Sequence, residues 1–139
     1  AFLACGKAAG AMVPGDHGTT YGGNPLVTAG AKAVLDIFEE RRIVDHVKET
    51  GAYLSGKLDQ VVEKYAVVKE RRGMGLIQGL ELTGPAAPVV TAALLEQKLV
   101  LISAGTNIIR FVPPLVIGKA DVDEMAERLE AAIDSAYGK

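Results

Sequence analysis

Tryptophan is absent from this 139-residue chain, and cysteine occurs once, at Cys5. A single thiol excludes an internal disulfide and every multi-cysteine zinc pattern. Cys5 lies in an apolar stretch, where a small buried thiol is expected. The two histidines, His17 and His46, stand far apart without ligand spacing, so no metal site is expected. An excess of one charge is lacking too. Fifteen basic against 17 acidic side chains leave a formal charge of -2, which offers no footprint for nucleic acid. The strongest basic run, Lys69-Glu70-Arg71-Arg72, is short and interrupted by an acid, and reads as a solvated or salt-bridged edge. No apolar run approaches the roughly 20 residues that span a membrane, and no basic region precedes the apolar start as in a signal peptide. A cytoplasmic protein is the expectation.

What is present suits a folded domain, or part of one: 49% hydrophobic and 23% charged residues. Ala1-Phe2-Leu3-Ala4-Cys5 reads as a strand met in mid-fold, because a lone strand has no partner for its backbone groups. We therefore expect a cut edge there. A glycine-rich loop follows as far as Gly23. Asn24 supplies a helix N-cap with Pro25 at the first helical position, and Leu26, Ala29, Ala33, Val34 and Ile37 continue at helical spacing. A second amphipathic helix is expected from about Val44 to Tyr65, weakened by Gly51 and Gly56.

The period then changes. Strands are expected at Val67–Lys69 and Leu76–Leu82, with Gly73 and Gly75 as a kink between them. A short helix is expected at Val89–Lys98. Leu99–Ile102 and Ile108–Val112 read as a hairpin around Ala104-Gly105-Thr106-Asn107, which Pro113-Pro114 terminates. The last helix is expected from Asp121, with Glu124 completing a capping box. Non-crossover hairpins mixed with helices indicate an α+β fold.

Gly15-Asp16-His17-Gly18-Thr19-Thr20-Tyr21-Gly22-Gly23-Asn24-Pro25 is the densest chemical constellation. Glycines let backbone N–H groups approach a ligand, hydroxyls donate to phosphate oxygens, and a helix N-terminus favours anions. The spacing matches neither common nucleotide-binding glycine loop. Phosphate binding and an ordinary glycine-rich turn both remain open on these residues alone. Arg110, set between Ile109 and Phe111, suits bidentate recognition of a carboxylate, or equally a cross-strand salt bridge to an acid such as Glu81.

His17 to Leu26, read HGTTYGGNPL, resembles the HG(S/T)T(F/Y)GGNPL segment of class III pyridoxal-phosphate aminotransferases. Ala1-Phe2-Leu3-Ala4 is similar to that family's strand after its cofactor lysine. Arg72-Gly73-Met74-Gly75-Leu76 resembles its R-G-x-G-L segment, and Ile109 to Leu115 its R-(F/I)-x-P-P-L segment. The acetylornithine branch is nearest, with the ornithine, succinylornithine and 4-aminobutyrate branches close behind.

This resemblance implies a homodimer sharing pyridoxal 5'-phosphate sites across its interface, with amino acid and 2-oxo acid substrates. It implies that Thr20 contacts the cofactor phosphate, and that Thr19 and Arg110 contact substrate. It also implies that the Schiff-base lysine lies upstream of Ala1, so that no catalytic residue falls within the chain and this piece alone is inactive. Lys7 comes after the strand and is not that lysine. The implied domains are 1–23 (end of the large cofactor domain), 24–43 (connecting helix) and 44–139 (small C-terminal domain). The expected rival is a non-enzymatic anion-binding or dimerisation module.

Overall fold

A computed structural model of the chain describes residues 4–13 and 15–138. The chain divides into two compact units, Ala1–Arg41 and Arg42–Lys139. Of the expected first strand, residues 1–3 lie outside the described residues, and Ala4 and Cys5 have no regular structure. A 3-10 helix follows at Gly6–Gly10. Cys5 is exposed rather than buried, because none of the described neighbours forms a core around it.

Helix α1 spans Pro25–Glu40 and starts as its residues dictate. The Asn24 side-chain oxygen accepts from Leu26 N at 3.0 Å and Val27 N at 3.1 Å, satisfying two of the orphan donors of the first turn. No residue of α1 is buried, and Leu26 and Leu35 are 81% and 65% exposed.

The second unit is an α+β layer. Helix α2 spans Ile43–Lys64, followed by strands β1, Val68–Met74, and β2, Ile77–Leu82. Helix α3, Ala87–Leu95, strands β3, Ile102–Ala104, and β4, Ile108–Phe111, and helix α4, Lys119–Tyr137, complete it. The sheet is antiparallel, in the order β1-β2-β4-β3. Leu80, Leu82, Ile109 and Phe111 project from one face into a core shared with Leu54, Leu58 and Val61 of α2, Val89 and Ala93 of α3, and Leu129 and Ile133 of α4. Each of these side chains larger than alanine contributes about 1.5–3 kcal/mol on burial.

Several boundaries differ from expectation. Strand β1 runs on past Lys69 to Met74, because Glu70 to Met74 pair with Ile77 to Glu81 and Gly73 joins the ladder opposite Gln78 rather than kinking the chain before it. Helix α3 stops at Leu95, because Lys98 turns to φ 56 and Leu99 N–H returns to Ala93 O. Strand β3 begins three residues late, since the ladder pairs Ile102 with Arg110 and leaves Leu99–Leu101 outside. Helix α4 starts at Lys119 behind Gly118, whose N–H donates to Asp121 Oδ2 at 2.7 Å. Asp121 is thus the third helical residue rather than the cap, and Glu124 pairs instead with Arg128.

The two glycines of α2 behave differently. A Cβ on Gly51 would lie 2.6 Å from the Gly75 carbonyl carbon, so the helix passes directly over the β1–β2 turn. Gly56 faces open space. Gly51→Ala is expected to cost about 1–3 kcal/mol through overpacking, whereas Gly56→Ala should stabilise by up to about 1 kcal/mol. Urea unfolding of both variants decides this, and shifts of equal sign would contradict the packing described.

Candidate functional site

Register decides which side chains reach the uncovered face of the sheet. Arg72 of β1 lies opposite Gly79 of β2, and Gly79 lies opposite Arg110 of β4. Because side chains alternate along a strand, Arg72, Gly79, Glu81, Ile108 and Arg110 share the face away from the helices. Together with Gly73, Ile77, Gln78 and Ala104 they line a cleft of about 270 Å³. Gly79 contributes no side chain, which leaves a notch between the two arginines.

Glu81 sits between them with its side chain only 16% exposed. One oxygen accepts from Lys69 Nζ at 2.8 Å and the other from Arg72. Arg72 also pairs with Glu70 at 3.1 Å. Hydrogen bonding from Lys69, and then its positive charge, hold the Glu81 carboxyl below the ordinary carboxylate value, against the opposing effect of desolvation. Arg71, one residue earlier than Arg72 and so on the opposite face, pairs with Asp59 of α2 at 2.6 Å and donates to Gln78 at 3.1 Å. The run Lys69 to Arg72 is therefore salt-bridged, as expected. Arg110 is exposed and makes no ion pair among the described residues, so the bridge to Glu81 does not form.

Thr19 and Thr20 belong to the first unit. Both are exposed, and neither hydroxyl has a hydrogen-bond partner among the described residues. Gly22 lies close under Thr19: a Cβ on it would meet Thr19 Cγ2 at 2.2 Å and would turn that side chain to another rotamer. Gly23 turns the chain at φ 74, and Asn24 Nδ2 ties the loop back to Tyr21 O at 2.6 Å. The loop thus ends rigidly at the helix N-terminus while its hydroxyls face outward.

Sequence reasoning missed Arg72, Glu81 and Gly79 as one constellation. The period-2 alternation of Ile77, Gly79 and Glu81 against Gln78, Leu80 and Leu82 was the available signal. Gln78 is the one polar side chain on the buried side of β2; its amide nitrogen donates to Gly75 O at 2.8 Å and to Ser55 Oγ at 3.2 Å. Among the described residues no helix is long and apolar enough to cross a membrane, and no cluster of three His, Cys, Asp or Glu could hold a metal.

The aminotransferase class-III family profile matches residues 1–133, and the chain belongs to that family. It is 43% identical to acetylornithine aminotransferase 1 of Bradyrhizobium diazoefficiens, over 100% of this chain and 35% of that protein. It is 45% identical to the acetylornithine aminotransferase of Gloeobacter violaceus, over 91% of this chain and 32% of that protein. The crystal structure of acetylornithine aminotransferase from Elizabethkingia anophelis superposes with a TM-score of 0.76 at 29% identity, over 88% of this chain and 31% of that one. The chain therefore spans about a third of the length of the curated relatives it matches.

The lowered Glu81 carboxyl makes a pH prediction with a definite sign. Its folded-state value lies below the unfolded one, so its contribution is present above the unfolded value, about 4.3, and is lost as pH falls through the folded value. Melting curves from pH 7 down to 3 should fall less steeply for Glu81→Gln than for the parent chain. Parallel curves would contradict the ion pairs.

Proposed function

We propose that these 139 residues belong to a pyridoxal 5'-phosphate-dependent transaminase that moves an amino group from N-acetylornithine, or a related ω-amino substrate, to 2-oxoglutarate in arginine biosynthesis. The carrying observation is Arg110, a guanidinium held on a rigid strand, beside a side-chain-free notch, with no internal counter-ion among the described residues. Its planar fork suits the carboxylate that both amino donor and oxo acid present. In this reading the protein is a cytoplasmic homodimer, and residues 1–23, 24–43 and 44–139 are the end of the large domain, the connecting helix and the small domain. The uncovered apolar face of α1 suits a contact with the remaining protein or with the second subunit. None of the 139 residues takes the role of the cofactor-bearing lysine, Lys7 included, and this piece alone is inactive.

The loop before α1 fits the cofactor's phosphate: a free hydroxyl at Thr20, a glycine at 23 that turns the chain at φ 74, and a capped helix start. The cofactor, when bound, supplies the electron sink for transamination. Thr20 would donate to its phosphate, Thr19 would meet substrate, and Arg110 would orient the substrate carboxylate.

Thr20→Val in the intact enzyme keeps the shape and removes the donor. Cofactor affinity should fall roughly 10- to 150-fold, the worth of a hydrogen bond to a charged group. Unchanged affinity in equilibrium dialysis would refute the assignment.

Arg110→Lys keeps the charge but loses the fork. Catalytic efficiency should fall roughly 30- to 1000-fold with both amino donor and oxo acid, while the melting temperature hardly moves. A destabilised enzyme with normal kcat/KM would defeat the reading.

A further inference from the structure

We propose that Arg72 and Lys69 are positioning residues, which hold the Glu81 carboxylate toward β1, one cation on each oxygen, and thereby keep it from pairing with Arg110. The proposal rests on the reading of Arg110 as the seat of a substrate carboxylate.

The ladder makes the competition symmetrical. Arg72 and Arg110 both lie opposite Gly79, one on each flanking strand, and Glu81 lies two residues along β2 on the same face. Glu81 is therefore a diagonal neighbour of both arginines. Diagonal neighbours on one face stand about 7–8 Å apart, within reach of long side chains. Nothing in the backbone register favours Arg72 over Arg110.

The difference lies in the strand beyond. The β1–β2 ladder is irregular between Val68 and Glu70, and this bulge delivers Lys69 to Glu81 as a second cation. Glu81 then has one oxygen on Lys69 and the other on Arg72, with its side chain mostly buried beneath them. Glu70, directly opposite Glu81, holds Arg72 from its other side at 3.1 Å. Across the notch, Ile102 of β3 and Ile108 of β4 carry no charge, so Arg110 has no other acid on its neighbouring strands.

The arrangement gives opposite predictions for single and double changes. In the full-length enzyme, Arg72→Gln frees one oxygen of Glu81, which then turns to Arg110 and competes with substrate. KM for 2-oxoglutarate should rise about two- to fivefold, the weight of a partly exposed ion pair, with kcat little changed. The dissociation constant of the unreactive dicarboxylate glutarate, read by calorimetry, should rise in parallel. Adding Glu81→Gln to Arg72→Gln removes the competitor and should return both quantities to the parent values. Lys69→Met frees the other oxygen, provides a second route should Arg72→Gln fold poorly, and should also weaken binding.

Arg110→Gln is the control. If it weakens glutarate binding while Arg72→Gln and Lys69→Met do not, the positioning role is overturned and the carboxylate seat stands. If Arg72→Gln weakens binding and Glu81→Gln fails to restore it, Arg72 acts on substrate directly and the proposal is again overturned. If Arg110→Gln leaves binding unchanged, the reading of Arg110 falls and this inference falls with it.

Discussion

Leu80 of β2 faces Ile109 of β4 across the ladder, and both are fully buried against the helices. That one apolar pairing governs which face of the sheet Glu81 and Arg110 take. Side chains alternate with a period of two, so committing Leu80 and Ile109 to the core commits Glu81 and Arg110 to the other face. A slip of one residue would drive Arg110 among the leucines and leave an unpaired guanidinium in an apolar layer. The desolvation cost of such a burial exceeds what any nearby acid could offset. The core thus sets the position of Arg110 without touching its head group.

The turn between β1 and β2 is held by a different kind of constraint. Gly73 has φ 146, and a Cβ there would meet Ile77 O at 2.3 Å, while Gly75 has φ 55 directly beneath Gly51 of α2. Gln78 fills the remaining polar need, with its amide spent on Gly75 O, Ser55 and Arg71. No buried side-chain nitrogen or oxygen is left without a partner among the described residues. A polar network satisfied in this way fixes one geometry rather than several. It anchors the end of β1 from which Arg72 projects.

Much of this was legible beforehand, and the failures have physical causes. The start of α1 was readable because Asn24 and Pro25 act locally, through bonds no more than three residues away. The α+β class was readable from the change of period after Tyr65. The strand at Leu99–Ile102 was misplaced because apolar runs look alike whether they join a ladder or only line a core, and the pairing partner decides. The start of α4 was missed because glycine carries no side-chain cap, and Asp121 bonds backward rather than forward. For Arg110, the carboxylate seat and the bridge to Glu81 could not be separated on spacing alone. Both require only that the two residues share a face. What excludes the bridge is the occupancy of Glu81 by Lys69 and Arg72, which depends on a bulge at Lys69 that no local pattern announces.

That occupancy also explains why an acid stands in the cleft at all. On the open face the cations are Lys69, Arg72 and Arg110 and the acids are Glu70 and Glu81, three against two, for a net charge of one positive. Replace Glu81 by a neutral residue and three cations would crowd adjacent strands with a single counter-ion, and like charges on neighbouring strands repel. Supply a further acid beside Arg110 and the surplus charge would vanish. One acid with two oxygens, both turned to cations on the β1 side, relieves the repulsion and leaves the surplus on β4. The notch at Gly79 then keeps the space beside that surplus clear. Charge number and vacancy coincide at Arg110 because the strand between the two arginines carries a glycine at one position and the glutamate two residues on.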